Sequence, residues 1–381
     1  MTSCSPDANR PSFIVMLGGL DDTGLEGLMR RALEAAALDV LESALETGSF
    51  GDVVLVADRA PVEPLPNGVR ITLDDTAEPF HFGERLTEAV DDSGCGRFVY
   101  VGAGAAPLLG AADLASLAAR MDADGPLCVT NNFYSADLFA LRPAGLVRRI
   151  EPWPPADNGV PRALKEQLDV VIDELPRTTA TQLNLDSPID LVAIGLANAG
   201  GPRLRALVKQ WDPDSARLAA AARVLTDRHG EVLIAGRVSS RAWRYLESET
   251  ACRVRLLSEE RGMTAAGRDT DFSARSMLGQ LIDVVGVERC FHELIPQLCD
   301  AAFIDIRPVI AHLGWQPSRA DRFAADLGLA DQIEDLGLRG LVVAAAAAPV
   351  PVILGGHSLV VGALMLLNDW VWSEHDRLLT E

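Results

Sequence analysis

The sequence predicts an α/β protein of two domains, the first built on a three-layer, mainly parallel sheet and the second a further α/β unit. Three observations predict it. The 381 residues exceed what one ordinary hydrophobic core organises, since domains mostly hold about 100 to 200 residues. A composition of 48% hydrophobic and 23% charged residues is that of a globular chain. Short apolar, β-branched runs alternate with segments of helical spacing, the rhythm that builds a parallel sheet covered on both faces.

Residues 13–17 are the first apolar run; they end in Gly18-Gly19, after which residues 25–45 carry apolar side chains at helical spacing. Residues 52–57 and 69–73 read as strands, 82–90 as a helix and 97–101 as a fourth strand. A turn-rich stretch leads to a helix over 113–121 and a strand at 127–130. Residues 143–161 hold too many prolines for a regular element and are expected to form an exposed loop or lid. Residues 184–197 close this half, and turn-forming residues 198–202 place the domain junction near 198, giving domains at 1–198 and 199–381. The second half reads as a helix over 213–228, a strand at 231–236 and alternating elements to about 372.

Net charge sets the partners. With 54 acidic against 34 basic residues the chain carries −20, which disfavours nucleic acid. Only Lys165 and Lys209 are lysines. Six cysteines without a CxxC pair or zinc-ligand spacing read as reduced thiols, so a cytoplasmic protein is expected. The polar residues 1–11 lack the basic-then-apolar order of a secretion signal and are expected to be a short tail. The apolar stretch 341–367 is broken by Pro349, Pro351 and Gly355-Gly356-His357-Ser358 into pieces too short to span a bilayer, so no membrane partner is expected. The sequence leaves self-association into a homo-oligomer open.

Three segments carry a family resemblance. They are the apolar run ending in Gly18-Gly19, then Val99-Tyr-Val-Gly-Ala-Gly-Ala105-Ala106-Pro-Leu-Leu109 with the helix after it, then Gln182-Leu-Asn-Leu-Asp186-Ser-Pro-Ile-Asp190-Leu191. Over residues 12–197 the chain resembles the nucleotidyltransferases of the glycosyltransferase-A-like fold, in particular the molybdopterin guanylyltransferase-like group. That resemblance implies a nucleotide-diphospho-sugar transferase-like sheet. It implies a Gly18-Gly19 loop over the nucleotide phosphates, where glycine lets backbone N–H groups approach closely. Asp186 is the implied magnesium ligand, while Asp190 suits a helix cap. The implied partners are a nucleoside triphosphate or nucleotide-linked product and a small phosphorylated acceptor. If active, such an enzyme would join a nucleotidyl group to the acceptor and release pyrophosphate. Asn131 and Asn132, beyond the strand at 127–130, are candidates for binding the nucleotide or acceptor, or else for satisfying turn and cap backbone groups.

The chain departs from that family at two places. Leu20-Asp21-Asp22-Thr23-Gly24 is acidic where catalysing relatives carry arginine and lysine, and Ala105-Ala106 stand where the family's main magnesium carboxylate would be. No catalytic residue is assigned. Besides active nucleotidyl transfer, two readings follow: a catalytically degenerate nucleotide-binding or scaffold protein, or a sugar-nucleotide-dependent glycosyltransferase.

In the second half three strand-end clusters stand out. Glu259, Glu260 and Arg261 follow a short strand and suit a cation and a phosphate, or a surface ion pair. Asp305 and Arg307, one face of a strand if extended, suit a buried pair or a site. Arg322 and Asp326 have the spacing of a helical i,i+4 pair. Gly356, His357 and Ser358 lie between an apolar strand and an apolar helix and suit an anion, with His357 as acid, base or metal ligand, or Ser358 simply as a cap.

Overall fold

The computed structural model describes residues 10–74, 80–122, 124–154, 156–263, 267–268, 271 and 273–380. Most of the expected tail, residues 1–9, lies outside them. The chain folds into two compact units, one of residues 1–20, 30–182 and 200–207, the other of 21–29, 183–199 and 208–381.

The first unit is a sheet of seven strands among the described residues: β1 (Ser12–Leu17), β2 (Val53–Ala57), β3 (Val69–Leu73), β4 (Phe98–Gly102), β5 (Leu127–Thr130), β6 (Leu138–Arg142) and β7 (Val171–Glu174). Its order is β3-β2-β1-β4-β6-β5-β7, and only β6 runs against its neighbours β4 and β5. Alternate side chains of one strand point to opposite faces. Phe13, Val15 and Leu17 therefore join Leu55, Val99, Leu38, Leu41 and Leu114 in one core. Ile14 joins Val54, Tyr100, Phe139, Leu86 and Leu164 in the other. Helices Gly24–Thr47 and Ala111–Arg120 cover the first face; Phe82–Ser93 and Val160–Leu168 cover the second. The three layers are those the sequence predicts.

The second unit is an all-parallel sheet of β8 (Glu231–Gly236), β9 (Arg253–Ser258), β10 (Ala301–Asp305) and β11 (Val352–Gly355), ordered β11-β10-β8-β9. Leu233, Ala235, Ile304 and Leu354 face a core shared with helices Met277–Val285 and Leu336–Ala347. The connection leaving β8 runs instead through helix Ser240–Glu249, whose Tyr245 hydroxyl bonds Asp369 at 2.9 Å in helix Gly362–Thr380. The apolar stretch 341–367 is thus split between helix, strand and helix, and among the described residues no helix is long and apolar enough to cross a membrane.

Two expectations need correcting. The junction expected near 198 is not a single crossing, because residues 183–199 group with the second unit and 200–207 with the first. The cause is burial: Ile189, Leu191, Val192, Ala193 and Ile194 of helix Pro188–Ala197 are all buried, and that helix packs on helix Gly362–Thr380. Arg203 and Leu204 instead give their backbone N–H groups to Asp39 at 3.1 and 3.0 Å. The helix expected over 213–228 is present with narrower bounds, Ala216–Arg223 continued by a 3-10 turn at Val224–Thr226, and a further helix precedes it. That helix, Pro202–Trp211, ends before Asp212, whose φ is +49°.

Gly236 ends β8 with φ +136°, and a Cβ placed there would lie 2.4 Å from the Asp305 Cβ. Only glycine lets β8 pass β10 at this point. Gly236→Ala is expected to destabilise the protein by about 2 to 4 kcal/mol, from backbone strain and overpacking together. Urea unfolding followed by circular dichroism measures it; a loss within experimental error would show that the two strands move apart freely.

Candidate functional site

Ligands of open α/β sheets settle beyond the carboxyl ends of the strands. In the first unit that edge carries a pocket of about 550 Å3, lined by Gly18 and Gly19 after β1, Asp58 after β2, Asp74 after β3 and Gly102 to Gly104 at the end of β4. Phe80, Phe82, Tyr100 and Leu33 supply its apolar wall. Phe82 packs edge-on to Tyr100, with ring centroids 5.3 Å apart.

The pocket's carboxylates are all engaged. Asp58 takes a bidentate bond from Arg30, at 2.7 and 3.0 Å, a longer one from Arg59 at 3.4 Å, and the Gly19 N–H at 3.2 Å. Burial alone would raise its pKa, but these bonds outweigh it and hold the carboxyl below its ordinary range. Asp74 accepts from Arg85 at 2.6 Å. Asp157 accepts the Tyr100 hydroxyl at 2.9 Å, and burial followed by that charge pushes the phenol far up. Gly19, at φ +83°, has open space where a Cβ would be. The glycine turn is thus formed, and its Gly19 N–H meets Asp58.

Asn131 is spent on the backbone, and Asn132 on the backbone and the Arg177 side chain. Asn131 is buried; its amide donates to Thr181 O at 3.2 Å and its Oδ1 accepts Asp137 N and Leu138 N at 3.3 Å each. Asn132 Oδ1 accepts Tyr134 N at 3.2 Å and Arg177 at 3.0 Å. Both asparagines hold the turn between β5 and β6. Ala105 and Ala106 are buried, so nothing at that position reaches a cation.

Asp186 lies in the second unit, at a second polar cluster on the carboxyl edge of the four-stranded sheet. Asp305, at the end of β10, receives Arg237 Nε at 2.6 Å and Nη2 at 3.2 Å, plus the backbone N–H groups of Arg237 and Arg307 at 3.3 and 3.2 Å. Its burial is outweighed by the Arg237 charge and hydrogen bond, so it stays ionised with a pKa below the usual range. Arg307 turns away from Asp305 to bind Asp326 at 2.5 Å, not sharing a strand face with it as expected. That also corrects the Arg322–Asp326 pair, because Arg322 bonds the Pro317 carbonyl at 3.0 Å.

Asp190 caps its own helix, as expected, accepting Asp186 N at 3.0 Å and Ser187 N at 2.8 Å. Burial raises the pKa of Asp186 despite Arg237 and Arg307, and burial with the Asp186 charge raises Asp190 much further. Ser358 Oγ donates to Asn184 O at 2.8 Å. Burial, then Arg237, lowers His357 to about 4, so its imidazole is neutral at pH 7. Of the third cluster, Glu259 caps helix Met277–Val285, accepting Ser276 Oγ, Leu278 N and Met277 N at 2.8, 3.1 and 3.2 Å. Glu260 pairs with Arg268, and Arg261 adds positive field at His357.

The structure therefore brings Asp186, Asp305, Arg307, Gly356, His357 and Ser358 to one sheet edge, and leaves Gly18, Gly19, Asn131 and Asn132 in the other unit. Sequence reasoning missed Asp58, Arg237 and Asp157. Asp58 and Arg237 stand directly after apolar strands, the same position that singled out Glu259 and Asp305. Magnesium, implied by the resemblance, does not fit Asp186: burial drives its carboxyl toward the protonated form, and among the described residues no three His, Cys, Asp or Glu side chains group to hold a metal ion.

A carboxyl whose folded pKa is raised makes the native state bind protons more than the unfolded chain. Its contribution to stability is intact near pH 4 and is lost as pH rises through the folded value. Asp190→Asn cannot ionise, so it is expected to gain stability relative to the parent between pH 5 and pH 8. Melting temperatures of the two proteins across that range test this; a constant difference would show that Asp190 titrates normally.

No protein-family model matches the sequence, and comparison with curated proteins finds no match. Solved structures do match at low identity. One is a protein assigned to the nucleotide-diphospho-sugar transferases from Desulfovibrio desulfuricans G20, with 11% identity and a TM-score of 0.37 over 53% of this chain and 98% of that one. Another is CMP:2-keto-3-deoxy-manno-octonic acid synthetase complexed with CTP, with 13% identity and a TM-score of 0.34 over 53% of this chain and all of that one, a 100% coverage. A third is Rv0371c from Mycobacterium tuberculosis H37Rv in complex with manganese, with 15% identity and a TM-score of 0.29 over 44% of this chain and 88% of that one.

Proposed function

We propose that the first unit is a nucleotidyltransferase-like binding unit that takes a nucleotide or nucleotide-linked product by its nucleoside, without clamping a triphosphate. The observation that carries this reading is the pocket of about 550 Å3 beyond β1, β2 and β4, with Gly18-Gly19 on its rim and Phe80, Phe82 and Tyr100 along its wall. Its volume suits a small ligand, and aromatic rings accept a base or sugar face. The motif resemblance at Gly18-Gly19 and at Val99 to Leu109 supports the same ligand class.

The phosphate end argues against transfer. Asp58, clamped by Arg30 with a longer bond from Arg59, already occupies the Gly19 N–H and takes up the charge of Arg30. A ligand phosphate would have to displace a carboxylate that is itself well held, and Asp157 adds a further carboxylate to the same pocket. These features favour the degenerate binding protein over the active enzyme.

Calorimetric titration with a nucleoside and its mono-, di- and triphosphate tests the reading. Affinity is expected not to rise with phosphate number, and Phe80→Ala, at an exposed ring, is expected to weaken every ligand about tenfold, the low end of base–aromatic stacking. In Asp58→Ala, which uncovers the Gly19 N–H and Arg30, affinity is expected to climb with each phosphate. Ligands that bind unaltered by Phe80→Ala would contradict the pocket assignment.

The purified protein is also expected to release no pyrophosphate from nucleoside triphosphates with magnesium and phosphorylated sugars. Steady, magnesium-dependent release would establish the enzyme reading instead.

A further inference from the structure

We propose that the second unit holds a phosphate group at the carboxyl edge of its sheet, where the connections leaving β8 and β10 part, with Arg307 and His357 as the residues that touch it. The inference stands apart from the reading of the first unit. It rests on topology and on unused hydrogen-bonding atoms.

The order β11-β10-β8-β9 makes β8 and β10 the switch point of the sheet. The chain leaves β8 toward β9 on one side and leaves β10 toward β11 on the other, the arrangement that opens a crevice beyond the strand ends in doubly wound sheets. The residues at that opening are Arg237 after β8, Arg307 after β10 and His357 after β11.

Arg307 is fixed but not used up. Its backbone N–H bonds Asp305 and its Nη2 bonds Asp326, while Nη1 is buried with no hydrogen-bond partner. The guanidinium lies along the Gly356 turn, since a Cβ at Gly356 would sit 3.9 Å from both Nε and Nη2. In the next residue, His357 Nδ1 is likewise buried without a partner. Buried donors and acceptors are almost always bonded, and with Asp326 Oδ1 also unpartnered these unmade bonds ask for a ligand.

The nearby carboxylates do not repel an anion. Asp305 is neutralised by Arg237 and Asp326 by Arg307. Asp186 and Asp190 are driven toward their protonated forms by burial. At His357 the Asp305 charge opposes that of Arg237, and Arg261 adds a further positive charge. An unbonded guanidinium N–H and a neutral imidazole nitrogen on adjoining strand ends match hydrogen phosphate or a phosphomonoester monoanion, which present an oxygen to the one and an O–H to the other. Sulfate and acetate carry no proton at neutral pH and satisfy only the arginine.

The test is calorimetric titration of the full chain with inorganic phosphate, glycerol 3-phosphate, sulfate and acetate, on the parent, Arg307→Lys and His357→Ala. Arg307→Lys keeps a cation facing Asp326 but removes the Nη1 arm; circular dichroism and melting temperature verify that each variant is folded. Saturable phosphate binding is expected in the parent, weakened about tenfold by Arg307→Lys and roughly three- to tenfold by His357→Ala. Tighter binding of glycerol 3-phosphate would identify a phosphomonoester as the source of the phosphate, and equal binding would identify the free ion; either supports the site. Absence of phosphate binding in the parent, sulfate binding as tightly as phosphate, or phosphate affinity unmoved in both folded variants would overturn it.

Discussion

At the carboxyl edge of each sheet a carboxylate is clamped by an arginine from a neighbouring element, and the chemistry of both edges follows from that pairing. Asp58 is held by Arg30 in the first unit and Asp305 by Arg237 in the second. Parallel strands deliver every strand-end residue to one edge, so a chain of charge −20 gathers acidic groups there unless each is matched. Arginine is the fitting match, since its planar fork bonds both carboxylate oxygens and it stays charged when buried. Breaking the Asp305–Arg237 pair, whose carboxylate is fully buried, leaves that charge uncompensated at a cost of about 3 to 5 kcal/mol.

The two edges end in opposite states. In the first unit the pairing places the side chain of Asp58 on the Gly19 N–H of the glycine turn, where the proposed reading would otherwise put a phosphate oxygen. In the second unit Asp305 consumes Arg237 but leaves Arg307 with one buried arm unbonded. Anion capacity is thus closed beside Gly19 and open beside Gly356.

Much of the framework was legible because it depends on local pattern. Apolar β-branched runs announced β1, β2, β4, β8 and β11, and glycines marked where the chain turned at Gly18-Gly19 and Gly355-Gly356. β6 escaped notice because it follows a tight turn and runs antiparallel, and β7 because it is a half-exposed edge strand without a continuous apolar run. The site was legible only as strand-end residues. Asp305 and His357 could be picked out, but their partners could not: Arg237 is 68 positions from Asp305 in sequence, and Arg30 is 28 from Asp58. Local spacing suggested Arg322 for Asp326, whereas the fold supplies Arg307 from 19 positions away. Asn131 and Asn132 fitted a ligand loop by composition, and only the bonds they make show them tying the turn together.

The central claim is that Asp58 stands in for a ligand phosphate at the Gly18-Gly19 turn. Amide chemical shifts of the isotopically labelled protein, followed during titration with a nucleoside triphosphate, test it most directly. The amides of Gly102 to Gly104 and Phe80 are expected to move with ligand while Gly19, bonded to Asp58, stays in place. A Gly19 amide that shifts first and furthest would contradict it, because the phosphates would then be displacing the carboxylate that this account leaves in possession of the turn.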